Sequence, residues 1–142
     1  MADKLDLYRQ FLEEVWANGR VERLPAFVTD ATESHGLITD VCMTRDDLED
    51  LVPALRALLD AIQHDILYSY ENGRFLHVMM RVSGLSKSSG ETVAFTGQSL
   101  IEFDGDKIAG SQDHYDLIGL FSQLGFLPKD TVELCLSSEK IS

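Results

Sequence analysis

The sequence predicts an α+β fold in which N-terminal helices cover one face of a curved antiparallel or mixed sheet. Three observations carry that prediction. Apolar residues recur at helical spacing as far as about residue 62, the period changes to two over about residues 65–115, and turn signals punctuate the alternating half at Asn72-Gly73, at Ser86 to Gly90 and at Asp104-Gly105-Asp106. Helices first and a long meander afterwards leave one sheet face for the helices to bury.

Leu5, Tyr8, Phe11, Leu12, Val15 and Trp16 form the stripe of a first helix over 3–18, which Asn18-Gly19 stops with a left-handed residue. A short second helix over 21–28 turns Leu24 and Phe27 inward around Pro25. Residues 32–36 suit a short strand, and 37–43 reads as irregular. Thr44 followed by Asp47 is an N-cap with an acid three residues on. It opens a third helix, bent at Pro53, whose stripe runs through Leu48, Leu51, Val52, Leu55, Leu58, Leu59 and Ile62. Strands follow near 65–71, 74–84, 91–103 and 107–115, and a last short helix spans Leu117 to Leu124.

A chain of 142 residues, 44% of them hydrophobic, makes a single domain, expected over 1–128 with a C-terminal tail over 129–142. At this size about 68–70% of the unfolded surface is buried, enough for a core without disulfides. Twelve Lys and Arg against 24 Asp and Glu give a net charge of −12, so a nucleic-acid backbone or an anionic membrane repels the chain. Neither partner is expected. Cys42 and Cys135 lie far apart with no CxxC spacing, which reads as packed thiols in a reducing compartment. The charged N-terminus lacks the apolar stretch of a secretion signal, and no apolar run approaches the roughly 20 residues of a membrane helix. A cytoplasmic protein is the expectation.

Strand alternation assigns faces. Leu76, Val78, Met80 and Val82 oppose His77 and Arg81, while Val93, Phe95, Ser99, Ile101 and Phe103 oppose Gln98 and Glu102. The last strand has no clean apolar face. Gln112, His114 and Asp116 share one parity and present a polar row, ending at an acid where the strand meets an apolar helix. Desolvation at such a rim can raise a carboxyl pKa into the range of acid–base catalysis. The plainer alternative makes Asp116 the N-cap of the last helix and His114 a core-edge imidazole. His35, His64, His77 and His114 show no HxH, HxxxH or HExxH spacing, so no metal is expected. The nucleophile elbow, the P-loop and the dinucleotide-binding glycine pattern are all missing, which argues against serine chemistry and nucleotide cofactors.

The chain resembles the SnoaL-like polyketide cyclases of the nuclear transport factor 2-like superfamily. The resemblance rests on the two leading helices, Ser34-His35, Leu55-Arg56-Ala57-Leu58-Leu59-Asp60, Glu71-Asn72-Gly73-Arg74, and the ending Asp104-Gly105-Asp106-Lys107-Ile108 to Asp116 and Gln123-Leu124-Gly125. It implies a cone-shaped α+β barrel enclosing an apolar pocket, a homodimer through the outer sheet face, a hydrophobic small-molecule ligand and no cofactor. It also implies intramolecular aldol condensation with one aspartate as acid and base. That aspartate matches Asp116 and the family's histidine after the first strand matches His35, with His114 beside them as a third catalytic candidate. The pocket walls are then Gln112, Met80, Val78, Phe95, Ser99, Ile101 and Trp16. Many members carry Glu and Trp where this chain has Gly110 and Gln112. That departure suits a non-catalytic ligand-binding or dimerisation module of the same fold. Epoxide-hydrolase-like water activation by paired carboxylates with Arg81 is a third reading, which needs Asp113 and Arg81 inside, where alternation does not put them.

Overall fold

The computed structural model describes residues 3–141 and shows an α+β architecture with one mixed sheet. The elements are α1 (Lys4–Phe11), α2 (Leu24–Phe27), β1 (Val28–His35), α3 (Arg45–Arg56), β2 (Leu59–Asn72), β3 (Phe75–Ser86), β4 (Thr92–Asp104), β5 (Lys107–Tyr115), α4 (Leu117–Gln123) and α5 (Thr131–Leu136). Strand order is β1-β5-β4-β3-β2, with β1 parallel to β5 and the other neighbours antiparallel.

The first helix starts where Asp3 accepts a 2.8 Å hydrogen bond from the Asp6 amide, and it runs as α-helix to Phe11. A π-helical turn carries it on through Leu12–Ala17. Its last carbonyls, on Trp16 and Ala17, accept from the Arg56 guanidinium at the end of α3, so one side chain satisfies groups that a helix terminus otherwise leaves bare. Gly19 turns the chain at φ +72°, and a Cβ there would collide with Arg56. The predicted cap of α3 forms in both directions: the Thr44 amide donates to Asp47 Oδ2 at 2.8 Å, and the Asp47 amide donates to Thr44 Oγ1 at 3.3 Å.

Tyr8, Phe11, Val15, Leu24 and Val52 pack from the helices onto Leu76, Val78, Met80, Val82, Val93 and Ile101 of the sheet. Each fully buried side chain of this kind contributes about 1.5–3 kcal/mol. Alternation along β3 and β4 follows the predicted parity, with His77, Arg81, Gln98 and Glu102 on the face away from the helices.

Two local expectations are corrected. The third helix stops at Arg56 rather than reaching Ile62, because Leu59 and Ile62 belong to β2. The register shifts between Asp60 and Gln63, and Ala61 adopts φ +52°. This bulge turns two residues three apart to the same face, a spacing that imitates a helix. Both cysteines, expected to be packed, are exposed free thiols, neither of them in a disulfide. The stretch after residue 128 contains α5, whose Thr131 is buried. Among the described residues, no helix is long and apolar enough to cross a membrane.

Candidate functional site

β5 is bulged as well, and that bulge decides the site. Ile108 pairs with Phe103, yet Gly110 pairs with Glu102, so Ala109 is the extra residue. Past that point parity is inverted: Ser111, Asp113 and Tyr115 face the helices alongside Ile101, Ser99 and Gly97, while Gln112, His114 and Asp116 face away. Asp113, placed outside by simple alternation, is therefore inside.

Around Asp113 the inner face holds a compact polar group. Ser99 Oγ donates to Asp113 Oδ1 at 2.6 Å and Ser111 Oγ donates to Oδ2 at 2.7 Å. Ser34 Oγ, from the parallel neighbour β1, lies 3.1 Å from Ser111 Oγ. Tyr115 Oη is 3.3 Å from Ser99 Oγ and 3.5 Å from Met80 Sδ, and the Tyr8 hydroxyl from α1 adjoins both Ser99 and Tyr115. A hydroxyl has one proton, so the serines that donate to the carboxylate are left to accept from their other neighbours. Tyr115 sits there because β4 has glycine opposite: a Cβ on Gly97 would overlap its ring.

Burial pushes the Asp113 carboxyl up, partly offset by its two serine donors and by nearby His114. Burial also pushes Tyr115 up to about 12 and Tyr8 well above its ordinary value, so both phenols keep their protons. The arrangement sets a carboxyl of raised pKa beside phenols that keep their protons, the kinds of group that acid–base chemistry and oxyanion binding use.

The expected site residues divide between the faces. Asp116 is exposed and accepts a 2.9 Å hydrogen bond from the Gly119 amide, the N-cap geometry of the plainer reading. Gln112 and His114 are exposed with it, and His35 lies on β1 beside Gln112, its side chain 42% exposed. None of the four joins Asp113 on the inner face. Val78, Met80, Ser99 and Ile101 are at most 1% exposed and Phe95 is 7% exposed, so they are packed core rather than the walls of an open pocket. Trp16 is half-buried against that core. Arg81 is exposed, which leaves the water-activation arrangement unassembled.

Hollows indent the surface formed by the described residues, and two of them bear on the site. One, of about 350 Å³, lies on the outer sheet face between Glu33, His35, Phe75, Leu100, Glu102 and Gln112. The other, of about 330 Å³, lies beside α3 at Val41, Met43 and Leu51. At the edge of the first, Glu33, His35 and Cys42 bring their potential ligand atoms within 4.8 Å of one another.

A mixed sheet wrapped over N-terminal helices is the α+β architecture of the nuclear transport factor 2-like cone fold. Residues 6–124 match the SnoaL-like polyketide cyclase family, and the chain belongs to that family. Solved structures agree on the fold. A polyketide-cyclase-like protein from Acidithiobacillus ferrooxidans is 19% identical, with TM-score 0.73 over 88% of this chain and 96% of that one. A SnoaL-like protein from a Jannaschia species is 12% identical, with TM-score 0.74 over 88% and 93%. A protein of ketosteroid isomerase-like fold from Catenulispora acidiphila, in complex with trimethylamine, is 19% identical, with TM-score 0.73 over 90% and 98%. At such identities the likeness is one of fold. No curated protein matches the chain.

Proposed function

We propose that this protein moves a proton on a hydrophobic, carbonyl-bearing small molecule, as in polyketide-cyclase-like aldol condensation, and that Asp113 rather than Asp116 carries the proton. One observation supports this reading above all: a carboxyl desolvated by burial, hydrogen-bonded at 2.6 and 2.7 Å by two serines and flanked by two protonated phenols. A carboxylate of raised pKa abstracts the acidic C–H beside a carbonyl, and Tyr115 donates to the oxygen that gains charge. Asp113, Ser111 and Tyr115 keep partial exposure whereas Ser99 and Met80 have none, so substrate approaches from the Ser111–Tyr115 side. Asp116 then acts indirectly, by capping the start of α4 where the chain leaves β5.

The assay needs no cognate substrate. Exchange of α-protons for deuterium on a hydrophobic cyclic 1,3-diketone, followed by NMR, reads C–H abstraction directly. Wild type accelerates exchange, Asp113→Asn does not, and Asp116→Asn retains most of the rate. Acceleration that survives in Asp113→Asn refutes the assignment.

A second reading rests on the filled inner face: the polar group specifies the packing of a ligand-binding or dimerisation module without catalysis. It predicts no exchange by the wild type and a destabilised Asp113→Asn. Dimerisation belongs to either reading, through the outer face where Tyr68, Tyr70 and Leu100 are exposed. Sedimentation at micromolar concentration should show a dimer, and a monomer there removes this part of the proposal. We assign the protein to the cytoplasm, in keeping with its free thiols.

A further inference from the structure

We propose that Glu33, His35 and Cys42 form a three-ligand site for a divalent transition ion of the zinc type, with its remaining position open to water at the edge of the outer hollow. The site goes beyond the inner-face chemistry and does not depend on it.

The backbone builds it. Ser34 and Met43 form an isolated antiparallel bridge, with the Ser34 amide donating to Met43 O at 2.8 Å and the Met43 amide donating to Ser34 O at 2.9 Å. Met43 is buried and the Ser34 hydroxyl meets Ser111 on the inner face. Their neighbours in sequence must then point the opposite way, which puts Glu33, His35 and Cys42 outside, with Cys42 across from His35 and Glu33 two residues along the same face. Three ligand types converge without any local sequence motif.

The distances fit an ion. Glu33 Oε2 lies 3.3 Å from His35 Nε2 and 3.2 Å from Cys42 Sγ. Tetrahedral zinc with bonds of about 2.0 Å to N and O and about 2.3 Å to S requires ligand separations of roughly 3.3–3.6 Å. The third side is within 4.8 Å, and a triangle of sides 3.2, 3.3 and at most 4.8 Å has a circumradius of at most about 2.4 Å. Shifts of a few tenths of an ångström in exposed side chains seat the metal. The donor set of imidazole, thiolate and carboxylate selects Zn(II) or Co(II) over Mg(II) or Ca(II), which take oxygen. Cys42 binds as thiolate and releases its proton to solvent. Glu102 lines the same hollow, and the −12 net charge adds to the attraction for a cation.

Titration with Co(II) tests the site through its spectrum. One equivalent should produce a thiolate-to-metal charge-transfer band that Zn(II) abolishes by displacement. Cys42→Ser should lose the band, Cys135→Ser should keep it, and Glu33→Gln and His35→Ala should each weaken binding at least about tenfold, since even partners outside the ligand shell cost 10–100-fold. Zn(II) should also shift the His35 ring resonances in the unaltered protein, a readout that no variant's folding can confuse. The proposal falls if wild type shows no band and no His35 shift, if the band follows Cys135, or if Glu33→Gln and His35→Ala bind Co(II) as wild type does.

Discussion

His64 ties stability to pH in a way that can be calculated. It lies half-buried on β2 opposite Val82, and burial holds its imidazole at about 4 against an ordinary 6.5. The folded state keeps His64 neutral at pH values where the unfolded chain protonates it, so between about pH 6.5 and 4 the unfolded state binds the extra proton. Stability from this residue is full above the unfolded value and is lost as pH falls through the window. With those two pKa values the loss relative to pH 7 is about 2 kcal/mol at pH 5 and about 3 kcal/mol at pH 4. His64→Leu removes the titration and keeps an apolar side chain on the inner face. Urea unfolding of both proteins from pH 7.5 to pH 5, above the pI near 4.5, isolates the effect as a difference. Contributions from the 24 acidic residues cancel in that difference. Wild type should lose about 2 kcal/mol more than His64→Leu on going to pH 5. Parallel stability profiles would mean that the imidazole is solvated in the folded protein, and the calculation would be wrong.

Asp113 should titrate above its ordinary 3.8 when its carboxyl carbon is followed by NMR, and a value at or below 3.8 would undo the case for acid–base work. Its linkage has the opposite sign to that of His64: stability present below 3.8 is lost as pH rises through the folded value, so Asp113→Asn should gain on wild type from acid to neutral pH. Gly97→Ala should displace the Tyr115 ring and cost about 1–3 kcal/mol, seen in urea unfolding and in the near-ultraviolet tyrosine signal. Thr44→Ala should cost about 1 kcal/mol by breaking the capping box of α3, and Asp116→Ala about the same at α4, whereas Asp116→Asn should be almost neutral.

Much of the fold was legible because local chemistry dictates it. The Thr44–Asp47 box, the left-handed Gly19 and Gly73, and the strict alternation of β3 from Leu76 to Val82 each satisfy a backbone or burial requirement within a few residues. The family match over residues 6–124 spans all of these features. What the sequence could not express is the effect of one extra residue in a paired strand. At Ala61 the bulge made strand look like helix, and at Ala109 it exchanged the faces of β5. A bulge is chosen by the partner strand and the core beneath it, and no local propensity records it.

The sequence by itself therefore determined the class of fold, the acid-rich composition and the strand-to-helix segment that carries Asp113 and Asp116. Only the tertiary structure decided which carboxyl faces the core: Asp113 went inside to Ser99 and Ser111, and Asp116 outside to cap α4. It alone also joined Cys42 to Glu33 and His35, because the Ser34–Met43 bridge folds the chain back on itself across a loop. Spacing along a chain reports periodicity, whereas convergence of side chains depends on register between strands, and register is settled by packing.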